Sequence, residues 1–138
     1  MSKKKVVLSH NVPPPAAIAV DRIDSFKVAV KEAKDFLDGP RYEHAVDLVK
    51  RLRDFGDSQQ CADLDISPIR GFYELSDKGG VLGKINLRIY FSFFATWRTI
   101  VVLGAWKKEA ERKTPGYIID RMENRMDWYL RLRTNGQV

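Results

Sequence analysis

The chain holds one cysteine and two histidines, and each scarcity closes off a class of chemistry. A lone thiol, Cys61, permits no intrachain disulfide and no multi-cysteine metal site, and it stands in a polar connector without a motif around it. His10 falls in an N-terminal connector and His44 in a predicted helix, so the sequence does not supply the paired histidines of a conventional ribonuclease. Metal-ligand spacings, glycine-rich phosphate loops and nucleophile elbows do not occur. No apolar run approaches the ~20 residues that a membrane span needs. Met1 to Ser9 carries three lysines around three consecutive apolar residues, too few for a signal-peptide core. These absences predict a cytoplasmic protein without a metal or small-molecule cofactor.

What is present is positive charge. The 24 lysines and arginines outnumber the 18 acidic residues, for a formal charge of +6 and a pI near 9.5, a balance that steers polyanions. The 138 residues contain no long low-complexity tract and read as one domain spanning 1–138, large enough to bury a core. Residues 1–20 form its N-terminal strand and proline-rich connector. Lys5 to Ser9 is the short strand, and Pro13-Pro14-Pro15 forces the extended stretch behind it.

From Asp21 to Asp38 the residues Ile23, Phe26, Val30, Ala33 and Leu37 recur at helical spacing. Gly39-Pro40 ends that helix and opens another, in which Tyr42, Ala45, Val49 and Leu52 repeat the pattern up to Gly56. So short a connection makes the two an αα-hairpin. Ile69 to Ser76 reads as a strand, followed by a turn at Asp77 to Gly80. Ile85 to Phe93 alternates: Ile85, Leu87, Ile89, Phe91 and Phe93 on one face, Asn86, Arg88, Tyr90 and Ser92 on the other. Thr99 to Trp106 is apolar on both faces, as an inner strand is. Thr114 as N-cap and Pro115 at the first helical position open a last helix, whose stripe is Ile118, Met122, Met126 and Tyr129. The order is β-α-α-β-β-β-α, an α+β fold with an antiparallel-rich sheet and helices on one side.

The alternation places Arg88 on the polar face, between Asn86 and Tyr90. A guanidinium suits a phosphodiester because its planar fork binds two oxygens and stays charged. Arg112, Lys113, Arg121 and Arg125 extend the basic surface, with Arg121 and Arg125 four residues apart on one helix face. Tyr73, Tyr90 and Tyr117 are candidates for stacking on bases or for proton transfer. Tyr90 leads because it shares a face with Arg88, whereas Tyr73 reads as a core residue.

Taken in order, Pro68-Ile69-Arg70-Gly71, Phe72-Tyr73-Glu74-Leu75, Leu87-Arg88-Ile89-Tyr90-Phe91, the strand ending in Trp106-Lys107-Lys108, and Lys113-Thr114-Pro115 resemble the phage-derived Gp49-like (HigB-type) toxins of the RelE/ParE superfamily. The resemblance covers about half the chain in motif and nearly all of it in element order. It implies the toxin of a type II toxin–antitoxin pair, a ribosome-dependent endoribonuclease that cuts mRNA through the substrate's own 2′-hydroxyl. It also implies a cognate antitoxin, expected to be a helix-turn-helix protein of the HigA type. Arg88 would stabilise charge on the scissile phosphate, Lys108 is the best match to the first of the family's two lysines, Lys107 or Lys108 would bind phosphate as a point charge, and Tyr90 would complete the catalytic set. Glu109 stands in place of the family's second lysine. Ser76 stands where the family has arginine in Glu-Leu-Arg, a loss that either removes activity or is made good by Arg70 or Lys78. Two other readings share the residues: a ParE-like gyrase inhibitor of the same fold, and a basic phage-type binding protein without catalysis.

Overall fold

The computed structural model describes residues 20–55, 63–109 and 113–137. The fold is α+β, a five-stranded mixed sheet in the order β1-β5-β4-β3-β2 with three α-helices. The strands are β1 (Arg22–Ser25), β2 (Asp65–Pro68), β3 (Tyr73–Asp77), β4 (Leu87–Phe94) and β5 (Thr99–Lys107). The helices are α1 (Lys27–Phe36), α2 (Gly39–Lys50) and α3 (Gly116–Thr134). Among the described residues no helix is long and apolar enough to cross a membrane. The expected strand at Lys5 to Ser9, the proline run, Gly56 and Cys61 lie outside the described residues.

The first helix begins later than its periodicity predicts. Residues 22–25 are instead a strand parallel to β5, in the register Arg22↔Thr99 to Ser25↔Val102. Asp21 N–H donates to the Arg98 carbonyl at 2.8 Å, and Phe26 N–H to that of Val102 at 3.2 Å. Backbone groups in a sheet need partners, and β5 would otherwise present an open edge here. Ile23 and Phe26 fit a helical stripe by spacing, but sheet pairing decides their conformation. The α1–α2 boundary falls where Gly39-Pro40 places it: Asp38 caps α2 by accepting the Arg41 N–H, with Pro40 in the first turn.

The predicted strand at Ile69 to Ser76 is a strand only from Tyr73; residues 69–72 are a turn, and a further strand, β2, precedes it. Pro68 closes the outer strand β2, where a missing N–H is tolerated, and Gly71 adopts φ +77° to reverse the chain into β3. A hydrogen bond of 2.7 Å from Ile69 N–H to the Phe72 carbonyl closes the turn. The extra strand makes the order β-α-α-β-β-β-β-α.

Helices cover both faces of the sheet, not one. Leu87, Ile89, Phe91 and Phe93 of β4 pack under α1 and α2 with Ala29, Ala33, Leu48 and Phe55. The Phe55 ring meets Tyr73, Phe91 and Phe93 edge-on at 4.9, 5.2 and 5.6 Å. On the opposite face α3 lays the predicted stripe Ile118, Met122, Met126 and Tyr129 on Phe72, Tyr90, Phe94, Val101 and Leu103. A strand as apolar as β5 requires a cover on each side. The supposed polar face of β4 is buried too, with Tyr90, Ser92 and Phe94 all fully inaccessible.

A register shift between Tyr90 and Phe91 pairs them with Gly104 and Val102 and leaves Leu103 as the extra residue. Beyond the end of β1, side chains replace the missing strand. Glu32 of α1 accepts the Ala105 N–H at 3.1 Å, and Arg125 of α3 donates to the Leu103 carbonyl at 2.8 Å. Arg125 and Glu32 bond each other at 2.9 and 2.8 Å, so a single ion pair joins α1, β5 and α3. Tyr129 donates to Asp24 at 2.6 Å, tying α3 to β1. Burial, reinforced by the Asp24 hydrogen bond, pushes the Tyr129 hydroxyl up to about 12 and keeps it a donor.

Gly104 lies beneath this junction. A Cβ placed there would stand 2.5 Å from Met122 Sδ and 2.7 Å from Arg125 Nη1. Gly104→Ala is expected to destabilise the fold by about 1–3 kcal/mol, the usual cost of overpacking. A urea midpoint equal to that of the parent would show that the ends of the Met122 and Arg125 side chains swing aside without cost.

Candidate functional site

Arg88 is not on a solvated face. Inner strand β4 carries it between Ser76 and Trp106, and its side chain is only 12% exposed. Its Nη1 donates to Asn86 Oδ1 and, at 3.1 Å, to the Leu87 carbonyl. Its Nε lies 3.7 Å from Glu74 Oε1, an ion pair too long for a hydrogen bond.

Glu74 is the centre of a network that sequence reasoning missed. Its Oε2 accepts from the Tyr90 hydroxyl at 2.9 Å and from Thr114 Oγ1 at 3.0 Å. The Tyr90 and Thr114 hydroxyls are themselves 3.0 Å apart. Register explains the meeting, since Glu74 and Tyr90 are cross-strand partners on the α3 side of the sheet. Tyr90 therefore cannot stack on a base: its ring is fully buried, edge-on to Phe72 at 6.2 Å. Burial holds its hydroxyl well above the ordinary tyrosine range, so it stays protonated and donates to Glu74. Thr114 does not cap α3 either. Pro115 occupies the N-cap position, and the threonine instead docks the loop before α3 onto β3 and β4.

Lys107 and Lys108 end β5 at an open cleft of about 410 Å³ that Lys78, Lys84 and Asn86 also line. Lys108 N–H donates to the Asn86 carbonyl at 2.9 Å, continuing the β4–β5 ladder past its last pair. Among the described residues none of the four ammonium groups is in an ion pair, and Glu109 is the one carboxylate in the lining. Lys84 was invisible to sequence reasoning because only the pairing of Leu87 with Lys107 brings the two chain ends together. Asn86 joins the two parts of the site, its side chain binding Arg88 while it lines the lysine cleft.

The other candidate cations separate. Arg70 is exposed at the β2–β3 turn and pairs with Asp120 at 2.7 Å and Glu123 at 3.5 Å on α3. Lys113 is exposed before Thr114, and Arg112 lies outside the described residues. Arg121 is exposed, its guanidinium 5.7 Å from the Tyr117 ring centre. Arg125 does not extend the basic surface as its spacing from Arg121 implies, because Glu32 and the Leu103 carbonyl take up its donors inside the fold. Tyr73 is a core residue, stacked on Phe91 at 5.4 Å, and Tyr117 is 58% exposed. His44 pairs with Asp77 at 2.6 Å on the opposite side of the sheet's end, and His10 is outside the described residues. Among the described residues no group of three His, Cys, Asp or Glu side chains converges as metal ligands would.

The arrangement is suited to binding an anion: four ammonium groups line the cleft, and Asn86 links them to a guanidinium held in place by Asn86, the Leu87 carbonyl and Glu74. No protein-family model, curated protein or solved structure matches the chain.

Proposed function

We propose that this protein is a type II toxin of RelE-like topology, a ribosome-dependent endoribonuclease silenced by a HigA-type helix-turn-helix antitoxin in the cytoplasm. The observation that carries the reading is the junction at Asn86, which accepts from Arg88 and also lines a cleft with Lys78, Lys84, Lys107 and Lys108. In this reading the lysines hold successive phosphates of mRNA as point charges, and Arg88 meets the scissile one with its Nη2 donors, Nη1 being held by Asn86 and the Leu87 carbonyl. The substrate's 2′-hydroxyl attacks the adjacent phosphate, and the ribosome orients the strand. Positioning and charge stabilisation then supply most of the acceleration. Tyr90 and Glu74 act behind Arg88 as positioning residues. The cleft also supplies the cations that Ser76 does not. The series of matching sequence elements supports the topology, together with a mixed sheet preceded by a helix pair and followed by a last helix.

One observation favours a second reading. Glu74 offsets part of the Arg88 charge and Tyr90 is sealed from solvent, as suits a polyanion-binding protein without catalysis. Inducible expression in bacteria, followed by primer extension on cellular mRNAs, separates the two. Growth arrest with cuts confined to translated regions is expected. Arrest with intact mRNA and relaxed or broken DNA would move the target to gyrase, and unimpaired growth would leave the binding reading.

A further inference from the structure

Three clefts that share lining residues form a strip that runs from the end of β5, past α1, to the outer face of α3. The lysine cleft shares Lys107 and Glu109 with a neighbouring cleft lined by Phe36, Trp106 and Arg121. That cleft in turn shares Arg121 with a third, along α3, lined by Tyr117, Asn124 and Trp128. Tyr117 and Trp128 are 58% and 54% exposed, the most accessible aromatic rings among the described residues. Eleven helical positions separate them, about three turns, so they lie on one face ~16 Å apart. Neither ring floats free. Tyr117 stands edge-on to Trp106 at 6.3 Å, and Trp128 leans on Phe26 at 6.5 Å. Each is anchored by a partly buried ring while much of its own surface stays open.

The charge along the strip is predominantly positive. Arg125 neutralises Glu32, and Arg70 neutralises Asp120. Asp35 and Glu109 remain against Lys78, Lys84, Lys107, Lys108 and Arg121. Unpaired cations at one end and flat, pre-positioned rings at the other match the two recurring parts of a single strand, phosphates and bases.

We infer that the strip from the lysine cleft along α3 is a track for single-stranded RNA, in which Trp128 and Tyr117 stack on bases and Arg121 accompanies them. The inference deepens the RNA-directed reading above and rests on it. Stacking is indifferent to base identity, so the track confers length and strandedness preference more than sequence preference.

The test is binding of a fluorescent single-stranded RNA dodecamer to the full chain across a salt series, with a duplex of equal length as comparison. Trp128→Ala is expected to weaken single-strand binding on the order of tenfold while leaving the salt dependence unchanged. Lys84→Ala is expected to flatten the slope of log K against log salt by about 0.7. Trp128→Phe restores most of the affinity, since it keeps a stacking plane, and this separates stacking from loss of fold. Unchanged affinity in Trp128→Ala, with the lysine variant still impaired, overturns the track, leaves the RNA reading standing, and returns the aromatic face to a protein partner. Equal affinity for single strand and duplex also overturns it. The RNA-directed reading itself is judged separately, by the primer-extension result.

Discussion

Arg88→Ala is expected to lower mRNA cleavage on the order of 10²-fold or more and to abolish growth arrest, while the protein remains folded. The size follows from position. Arg88 is 12% exposed and its Nη1 is fixed by Asn86 and the Leu87 carbonyl, so its guanidinium requires little reorganisation when charge develops on a phosphate beside it. Survival of the fold follows from the network around it. Glu74 keeps both hydroxyl donors, Tyr90 and Thr114, when the arginine is removed. Arg88→Lys is the informative companion, because it retains the charge but loses the planar fork. It should recover RNA binding without recovering cleavage. Circular dichroism establishes folding, and primer extension at matched protein level reads the activity. If Arg88→Ala arrests growth as efficiently as the parent, the guanidinium is a structural partner of Glu74 and nothing more.

Arg125→Ala carries the largest expected cost to stability, about 3 kcal/mol. Removing one partner of a buried ion pair generally costs ~3–5 kcal/mol because the other charge is left uncompensated. The low end applies here, since Arg125 and Glu32 keep 14% and 19% of their side-chain surface and water relieves part of the penalty. The variant would also leave the Leu103 carbonyl without its donor. Urea unfolding of Arg125→Ala, Glu32→Ala and the double variant forms the cycle that isolates the pair. A double variant costing clearly less than the sum of the singles is the expected result. Strict additivity would mean the two side chains stabilise the edge of β5 independently.

Both expectations depend on partners that the sequence does not announce. Arg125 and Arg121 are indistinguishable by helical spacing, yet one is locked to Glu32 inside the fold and the other is exposed over Tyr117. The difference lies in Gly104, whose missing side chain lets Arg125 and Met122 approach β5. In the same way Thr114-Pro115 has the residue types of a helix start, and the threonine was drawn away by Glu74, forty positions earlier in the chain. Arg88 read as polar by alternation, which reports parity along a strand and not what covers the face.

The sequence by itself determined the local periods: the β4 alternation Leu87-Ile89-Phe91-Phe93, the two-faced apolarity of β5, the break at Gly39-Pro40, and the stripe Ile118-Met122-Met126-Tyr129. These hold because each needs only a repeated burial environment on one element. Tertiary structure alone decided the rest. It made 22–25 a strand by lending it the edge of β5, split 65–77 into a hairpin through Gly71, and put helices on both faces. It also drew Lys84 to Lys107 and hid Tyr90. Pairing, burial and charge neutralisation depend on residues tens of positions apart, and no local pattern encodes which of two similar side chains will meet its partner.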